Sequence, residues 1–507
     1  MIRNITLKLA AFALILSAAH GCTGGVNAEA VITKEAISKN YTGTGIEWDP
    51  YDEAEAWGAD ISDADWAKLY ERLDFMKPGY IRCMINSGWK YYDKKTGVYD
   101  KTKNIRNLRR LLDYCTKNNI TVIFGEYNPP SPDMKDSQKW VEMSVDYLNY
   151  LVNVLGFRCI KYFVIFNEPD GYWSSVNGDF SLWMSMLRKF DEQMSRYPGL
   201  SGRIRFAAPD AVMGYKNPES PFNTAGWIKN TSELADSLTG IYDIHSYPGQ
   251  YEVRYGDFEK NLVSLRKQVP AGKKILLGEA GYKYYKPEDS LLALKSTELI
   301  AGHKLTLGSD CNLFVYDYFY GIDMALMAMK VMNAGYSGIA AWMLDDAMHG
   351  NGDSGRTGDL KIWGMWNILG EEVFGMPKEE EIRPWFYTWS LMCRYFPEGS
   401  DILKTKTNKF PRTCYISAGI KDGHYTAAAV NFGEKDILVS LEFPKALSNA
   451  SLFLYSRNKM EKDKNEFPVP IKRDMNGNSF RINIPANGFI LITELPYLRS
   501  NKKSNES

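Results

Sequence analysis

The chain has 507 residues, in which 61 lysines and arginines balance 61 aspartates and glutamates, so the formal net charge is zero and no global field favours a polyanionic partner such as nucleic acid. It is more than three times the ~150 residues of a one-domain prior and can bury a large core. With 45% hydrophobic and 24% charged residues its composition is globular, which excludes a mostly disordered, collagenous or multi-span membrane protein, and its one excess is aromatic, at 13%.

Arg3 and Lys8 flank the start of an apolar run, Leu9 to Ala19, that is too short to cross a bilayer of ~30 Å but suits the core of a secretory signal. Residues 1–21 are therefore set aside. Ala19-His20-Gly21-Cys22 is similar to a bacterial lipoprotein box with His20 off-pattern, which makes Cys22 a candidate for lipidation. Ordinary cleavage near Ala28 or Ala30 is the alternative, and lipidation is favoured. Either way an exported protein is expected, as an outer-membrane lipoprotein or in the periplasm or medium, touching a membrane only through that anchor. The remaining cysteines, Cys83, Cys115, Cys159, Cys311, Cys393 and Cys414, form no CxxC pair and read as buried thiols, with any pairing open.

Past Val31–Lys39, which can add a strand to a later domain, short apolar runs alternate with segments of helical period, as in a chain of βα units. The runs are Gly45–Trp48, Tyr80–Ile85, Thr121–Gly125, Tyr162–Phe166, Ile204–Ala208, Ile241–Ile244, Ile275–Gly278 and Gly338–Met343. Between them, Ile105, Leu108, Leu111, Leu112 and Cys115 share one helical face, as do Trp140, Met143, Tyr147, Leu151 and Val154, and then Phe180, Trp183, Leu187, Phe190 and Met194. An open doubly wound sheet shares this alternation, but eight runs favour a closed (β/α)8 barrel over residues 41–397. After Pro384–Phe396 the texture becomes β-rich: Tyr425–Val430, Ile437–Phe443, Ser451–Tyr455, Phe480–Ile484 and Phe489–Thr493 are punctuated by turn signals at Asp422-Gly423, Asn476-Gly477 and Asn487-Gly488. A small all-β sandwich is expected over 398–496 and a disordered tail over 497–507.

Catalytic groups of such a barrel project from the C-terminal ends of its strands. Carboxylates dominate there: Glu47, Glu126, Glu168, Asp210, Glu279 and Asp345. A convergence of this kind suits glycoside hydrolysis or a magnesium-type site, and composition cannot choose between them. Local sequence can. The fourth run ends in Asn167-Glu168-Pro169 and the seventh in Gly278-Glu279, and this pair resembles the acid/base and nucleophile motifs of the clan A glycoside hydrolases, which are retaining (β/α)8 enzymes. Arg82 in the second run, His245 and Tyr247 after the sixth, and Trp342 in the eighth fall where that clan carries an arginine, a His-x-Tyr and a tryptophan.

The resemblance implies that Glu168 is the acid/base, that Glu279 is the nucleophile, and that Asn167 meets the sugar 2-hydroxyl. It implies further that Arg82 and Tyr247 hold Glu279 ionised and that Trp342 floors the subsite of the attacked sugar. Arg82, His245, Tyr247, Trp342 and Tyr127 join Asn167 as expected substrate-binding residues, with Trp89 and Trp173 as further stacking candidates. Glu126, Asp210 and Asp345 are expected to bind substrate or support structure. No metal and no organic cofactor is expected, the partner is a carbohydrate substrate, and oligomeric state is open. Gly350-Asn351-Gly352-Asp353-Ser354-Gly355 satisfies GxGxxG but follows no strand tightly, and reads as a mobile loop at the mouth of the site. GxSxG, P-loop and HExxH motifs are absent. Two rival readings remain, a transglycosylase using the same glutamates and a non-catalytic glycan-binding barrel.

Overall fold

The computed structural model describes residues 28–304, 307, 310–349, 360–457 and 460–497. The signal segment, Cys22, the Gly350–Gly355 loop and residues 498–507 lie outside the described residues. Eight parallel strands close in chain order: β2 (Gly43–Glu47), β3 (Tyr80–Ile85), β4 (Thr121–Glu126), β5 (Ile160–Val164), β6 (Arg205–Met213), β7 (Thr239–Ser246), β8 (Ile275–Ala280) and β9 (Gly338–Ala341), with β9 returning to β2 through Gly43↔Gly338 to Ile46↔Ala341. A (β/α)8 barrel is therefore present, built from the eight expected runs. Its strands are buried on both faces, which is why they read as near-continuous apolar segments.

Inside the barrel, side chains from alternate positions form a small apolar plug of Tyr80, Met84, Ile123, Val164, Ala207, Ile241, Leu276 and Ala340. Nearer the C-terminal ends the filling turns polar: Glu47, Arg82, Asp210, Asp243 and His245 are all buried. The fifth barrel strand, β6, runs past the expected end at Ala208 to Met213, and pairs Pro209↔Asp243 and Val212↔His245 with β7. That extension carries Asp210 and His245 to the same height. The outer helices use the faces the periodicity marks, as in Arg106–Lys117, which buries Leu108, Leu111, Leu112 and Cys115.

The second unit begins before the barrel. Strand β1 (Ala28–Ser38) pairs antiparallel with β10 (Asp401–Asn408) and parallel with β13 (Ile437–Tyr455), joining β11 (Cys414–Lys421), β12 (His424–Asn431), β14 (Lys472–Ile484) and β15 (Gly488–Thr493) in the order β1-β10-β11-β12-β15-β13-β14. The long β13 pairs with β1 over Val439–Glu442, with β14 from Ile437 to Leu452, and with β15 through its last five residues, Ser451–Tyr455. The sheet thus folds back on itself around its own apolar core, which includes Ile32, Ile416, Val439, Leu441 and Ile492.

Two helices, Tyr318–Asn333 and Trp385–Tyr395, are buried between barrel and sheet. Trp389 Nε1–H donates to Gly45 O on the barrel side (3.0 Å), while Ser417 Oγ–H donates to Met329 O (3.1 Å) and Tyr455 O–H to Tyr318 O (2.8 Å) on the sheet side. The six cysteines of the described chain are buried and none forms a disulfide among the described residues, and among described residues no helix is long and apolar enough to cross a membrane.

At the foot of the barrel β2 and the turn before β3 meet backbone to backbone. A Cβ built on Gly79 would lie 2.6 Å from Gly43 Cα and 2.7 Å from Thr42 O. Neither neighbour is a movable side chain, so Gly79→Ala should destabilise the protein by about 1–3 kcal/mol, the usual cost of overpacking a close contact. Denaturant unfolding should show a lowered midpoint, and an unchanged midpoint would mean the strands can part there.

Candidate active site

Arg82 occupies the centre of the polar layer. It projects inward from β3 with no exposed surface. Its Nη1 donates to both oxygens of Glu47 (2.8 and 2.7 Å) and to Glu279 Oε2 (2.9 Å), and its Nη2 donates to Asn167 Oδ1 (2.6 Å) and Asp210 Oδ2 (3.2 Å). One guanidinium thus ties together β2, the end of β5, β6 and β8. Burial opposes its charge, but Glu47, Asp210 and Glu279 outweigh that and keep it firmly protonated. Burial raises Glu47 well above the usual carboxylate range despite Arg82.

His245 forms the second knot. Its Nδ1 lies 2.9 Å from Glu168 Oε1 and 3.6 Å from Glu279 Oε2, and its Nε2 lies 3.0 Å from Asp210 Oδ1. Burial disfavours the imidazolium, yet Asp210 and then Glu279 reverse the effect and hold His245 well above its ordinary value. Charged, it donates from both nitrogens, to Glu168 on one side and Asp210 on the other. Asp210 pays for its own burial through His245 and Arg82, which bring it down to about 2.

The two glutamates are held differently. Glu168 sits at φ 47 and donates its backbone N–H to Asp210 Oδ2 (3.2 Å), while Asp210 itself is at φ 64. Left-handed conformations at such residues cost about 1–3 kcal/mol and persist where surroundings over-determine them. Trp173 Nε1–H donates to Glu168 Oε2 at 2.5 Å. Glu279, at the end of β8, accepts from Arg82 on one oxygen and from the Tyr247 hydroxyl on the other. Side-chain atoms of Glu168, His245 and Glu279 all lie within 4.8 Å of one another, one oxygen from each glutamate included.

Glu168 and Glu279 line a cavity of about 930 Å³, together with Asn167, Tyr127, Tyr247 and Trp342 among others. Arg82 and His245, expected to contact substrate, do not line it: both are fully buried beneath the glutamates and act through them. Trp342 does line the cavity but is only 6% exposed, because the His349 ring lies on it at 4.9 Å and 30°. Trp89 is outside the lining and donates to Glu55 (3.3 Å). Glu126 is enclosed by Tyr91, Trp140 and Ser144, and Asp345 by Tyr51, Trp366 and the backbone of Ala347 and Ile368, so both are structural.

His349 escaped the sequence reading. Its Nε2 is 3.0 Å from Asp49 Oδ2 and 3.3 Å from the Tyr127 hydroxyl, and its Nδ1 is 3.5 Å from Glu53. Its scarcity was the available signal, since the chain holds 5 histidines and this one follows the eighth barrel strand. Lys283 and Lys361 also line the cavity, and each lies 3.0 Å from Asp310.

Two groups of side chains, Glu168 with His245 and Glu279, and Asp210 with Asp243 and His245, are close enough to hold a cation. Their chemistry argues otherwise: His245 is itself a cation whose nitrogens both face carboxylates, and the Arg82 guanidinium already supplies positive charge to Asp210 and Glu279.

No protein-family model and no curated protein matches the chain. Solved structures do resemble it, among them a family 30 endoxylanase from Clostridium papyrosolvens (TM-score 0.57, 15% identity), a family 30 xylanase C from Talaromyces cellulolyticus (0.61, 12%) and a family 39 β-xylosidase from Caulobacter crescentus (0.57, 12%). Each alignment covers 92% of this chain and 99% of the other. The likeness spans barrel and sheet together, and the resemblance to clan A enzymes holds at the level of fold.

Burial works against a charged His349, but its bonds to Asp49 and Glu53 prevail and raise it from 6.5 to about 10. Its protonation therefore adds stability in full below about pH 6.5 and loses it as pH climbs toward 10. His349→Asn should flatten the fall in unfolding free energy across that window, measured by denaturant titration at several pH values. Parallel wild-type and variant curves would contradict it.

Proposed function

We propose that the protein is an exported retaining glycoside hydrolase that cleaves glycosidic bonds of an oligo- or polysaccharide by double displacement, with Glu168 as acid/base and Glu279 as nucleophile. The observation that carries this reading is the approach of the two glutamates, with one oxygen of each within 4.8 Å of the other. Retaining enzymes hold their carboxyls ~5–5.5 Å apart, whereas inverting enzymes need ~6.5–9.5 Å to admit a water. The glycosidase fold of the structural neighbours points the same way.

In the first step a Glu279 oxygen bonds to the anomeric carbon while the bond to the leaving oxygen breaks and that oxygen takes the Glu168 proton. In the second, Glu168 removes a proton from water, which displaces Glu279 and regenerates both carboxyls. Arg82 and the Tyr247 hydroxyl aim Glu279. Because the Asn167 Oδ1 is turned to Arg82, its NH2 is left for the cavity, where it can donate to the sugar 2-hydroxyl. His245, held charged by Asp210 and Glu279, donates to Glu168 Oε1 and orients its carboxyl.

Phenyl β-glycosides of xylose, glucose, galactose and glucuronic acid, with plant and microbial polysaccharides, form the test panel. Glu279→Ala should abolish turnover of whichever substrate is cleaved, with azide restoring it to give the inverted product. Glu168→Gln should lower kcat by about 10²–10⁴-fold on poor leaving groups. Full activity in Glu279→Ala overturns the reading.

We also propose that the chain carries a lipid on Cys22. Labelled palmitate should enter the wild type expressed in a Gram-negative host and not Cys22→Ser, and an unlabelled wild type would return the reading to ordinary signal cleavage.

A further inference from the structure

Beyond Glu168 the cavity wall is aromatic. Tyr172 and Trp173 come from the turn-rich segment that follows β5, and Tyr215 from the segment after β6. The Trp173 ring lies 4.8 Å from Tyr215 and 5.0 Å from Tyr172, and all three residues line the cavity. Tyr172 is 69% exposed and Trp173 43%, although nearly every other tryptophan of the barrel is buried. Such large rings left open side by side signal a surface kept for a ligand. Gly171 makes the arrangement possible, since a Cβ there would run into the Trp173 indole.

The side of the cleft on which this wall stands follows from chemistry. The acid delivers its proton to the departing oxygen, so whatever touches the acid and not the nucleophile lies on the leaving-group side. Trp173 bonds Glu168 at 2.5 Å, whereas the aromatic residue bonded to Glu279 is Tyr247, packed 5.6 Å from Trp363 on the other side. An indole N–H can only donate. With His245 donating to Oε1 and Trp173 to Oε2, the carboxyl plane of Glu168 is pinned from both ends.

We propose that Tyr172, Trp173 and Tyr215 form a leaving-group subsite that stacks on the flat apolar face of a sugar ring or an aryl group, and that the Trp173 N–H positions the Glu168 carboxyl to protonate the oxygen between them. This rests on the reading of Glu168 and Glu279 given above. A glycosidase with such a wall acts on oligosaccharides or aryl glycosides in preference to simple alkyl glycosides, and hands the same surface to acceptor sugars in the second step.

The test uses the full chain and the methyl, phenyl, 2,4-dinitrophenyl and disaccharide glycosides of whichever panel sugar is turned over. For Tyr215→Ala, and for Tyr172→Ala, whose exposed ring cannot be needed for folding, the loss of kcat/KM on the disaccharide should exceed the loss on the methyl glycoside by about tenfold, chiefly through KM. A selective loss on the disaccharide identifies a sugar as the occupant, and one confined to the phenyl glycoside identifies an aryl group. Trp173→Phe keeps a ring but loses the N–H, so its kcat should fall at least tenfold further on the disaccharide, which needs protonation, than on the dinitrophenyl glycoside, which does not. If the three variants scale every leaving group equally while Glu279→Ala is inactive, the subsite is overturned and the nucleophile stands. If Glu279→Ala remains active, the reading beneath it falls first.

Discussion

A guanidinium sealed inside a barrel loses its hydration, and the loss of several kcal/mol is recovered only when its donors meet matched acceptors. Arg82 meets them through Nη1 and Nη2 in Glu47, Glu279, Asn167 and Asp210, while its buried Nε has no hydrogen-bond partner. Because these four residues belong to four different parts of the strand rim, the arginine fixes their mutual positions as well as their charge. Asp210 extends the order one step further, to His245, and His245 to Glu168. The position of Glu168 is thus set through a chain of charge-assisted bonds that begins at a residue outside the cavity. The left-handed backbone at Glu168 and Asp210 is affordable for the same reason: each is held from several sides.

The barrel interior is divided between an apolar cluster and a charged layer packed against it. Low polarity beneath and around the layer strengthens every interaction within it and makes each unmatched group costly. Gly278 shows how closely the layers fit, since a Cβ there would collide with the Asp243 carboxyl. Burial lifts Asp243 to about 8, so this lowest carboxyl keeps its proton at neutral pH and adds no further negative charge below Asp210. The charged layer is balanced by geometry and by protonation together.

The eight strands were legible because strands covered on both faces leave apolar runs, and the two glutamates because they end such runs within short distinctive motifs. What could not be read was height and cover. Sequence gives Arg82 and His245 as polar residues near strand ends but not that the glutamates roof them over. It gives Trp342 as an aromatic residue of the eighth strand but not that a histidine seven positions later lies on its face. The reach of β6 to Met213 was hidden by Pro209 and Asp210, which look like a strand terminus, yet Pro209 pairs with Asp243 and, past the register shift at Asp210, Ala211 pairs with Ile244. The sheet around β13 was legible in pieces, since its turns are marked by Asn-Gly and Asp-Gly, whereas its closure depends on pairing with a strand more than 400 residues earlier.

That last pairing bears on how the chain can be made. Strand β1 is the first described segment to be synthesised, and its partners β10 and β13 are among the last. The barrel is an insertion between them, so β1 waits as an open edge while some 360 residues are threaded and folded, and long-range closures of this kind are slow. A chain that stops short of residue 401 would own every side chain that lines the cavity and still present a bare strand and the uncovered sides of two apolar helices, surfaces that invite aggregation. The sheet therefore works as a check on synthesis: β1 is covered only once the chain has been made through β13.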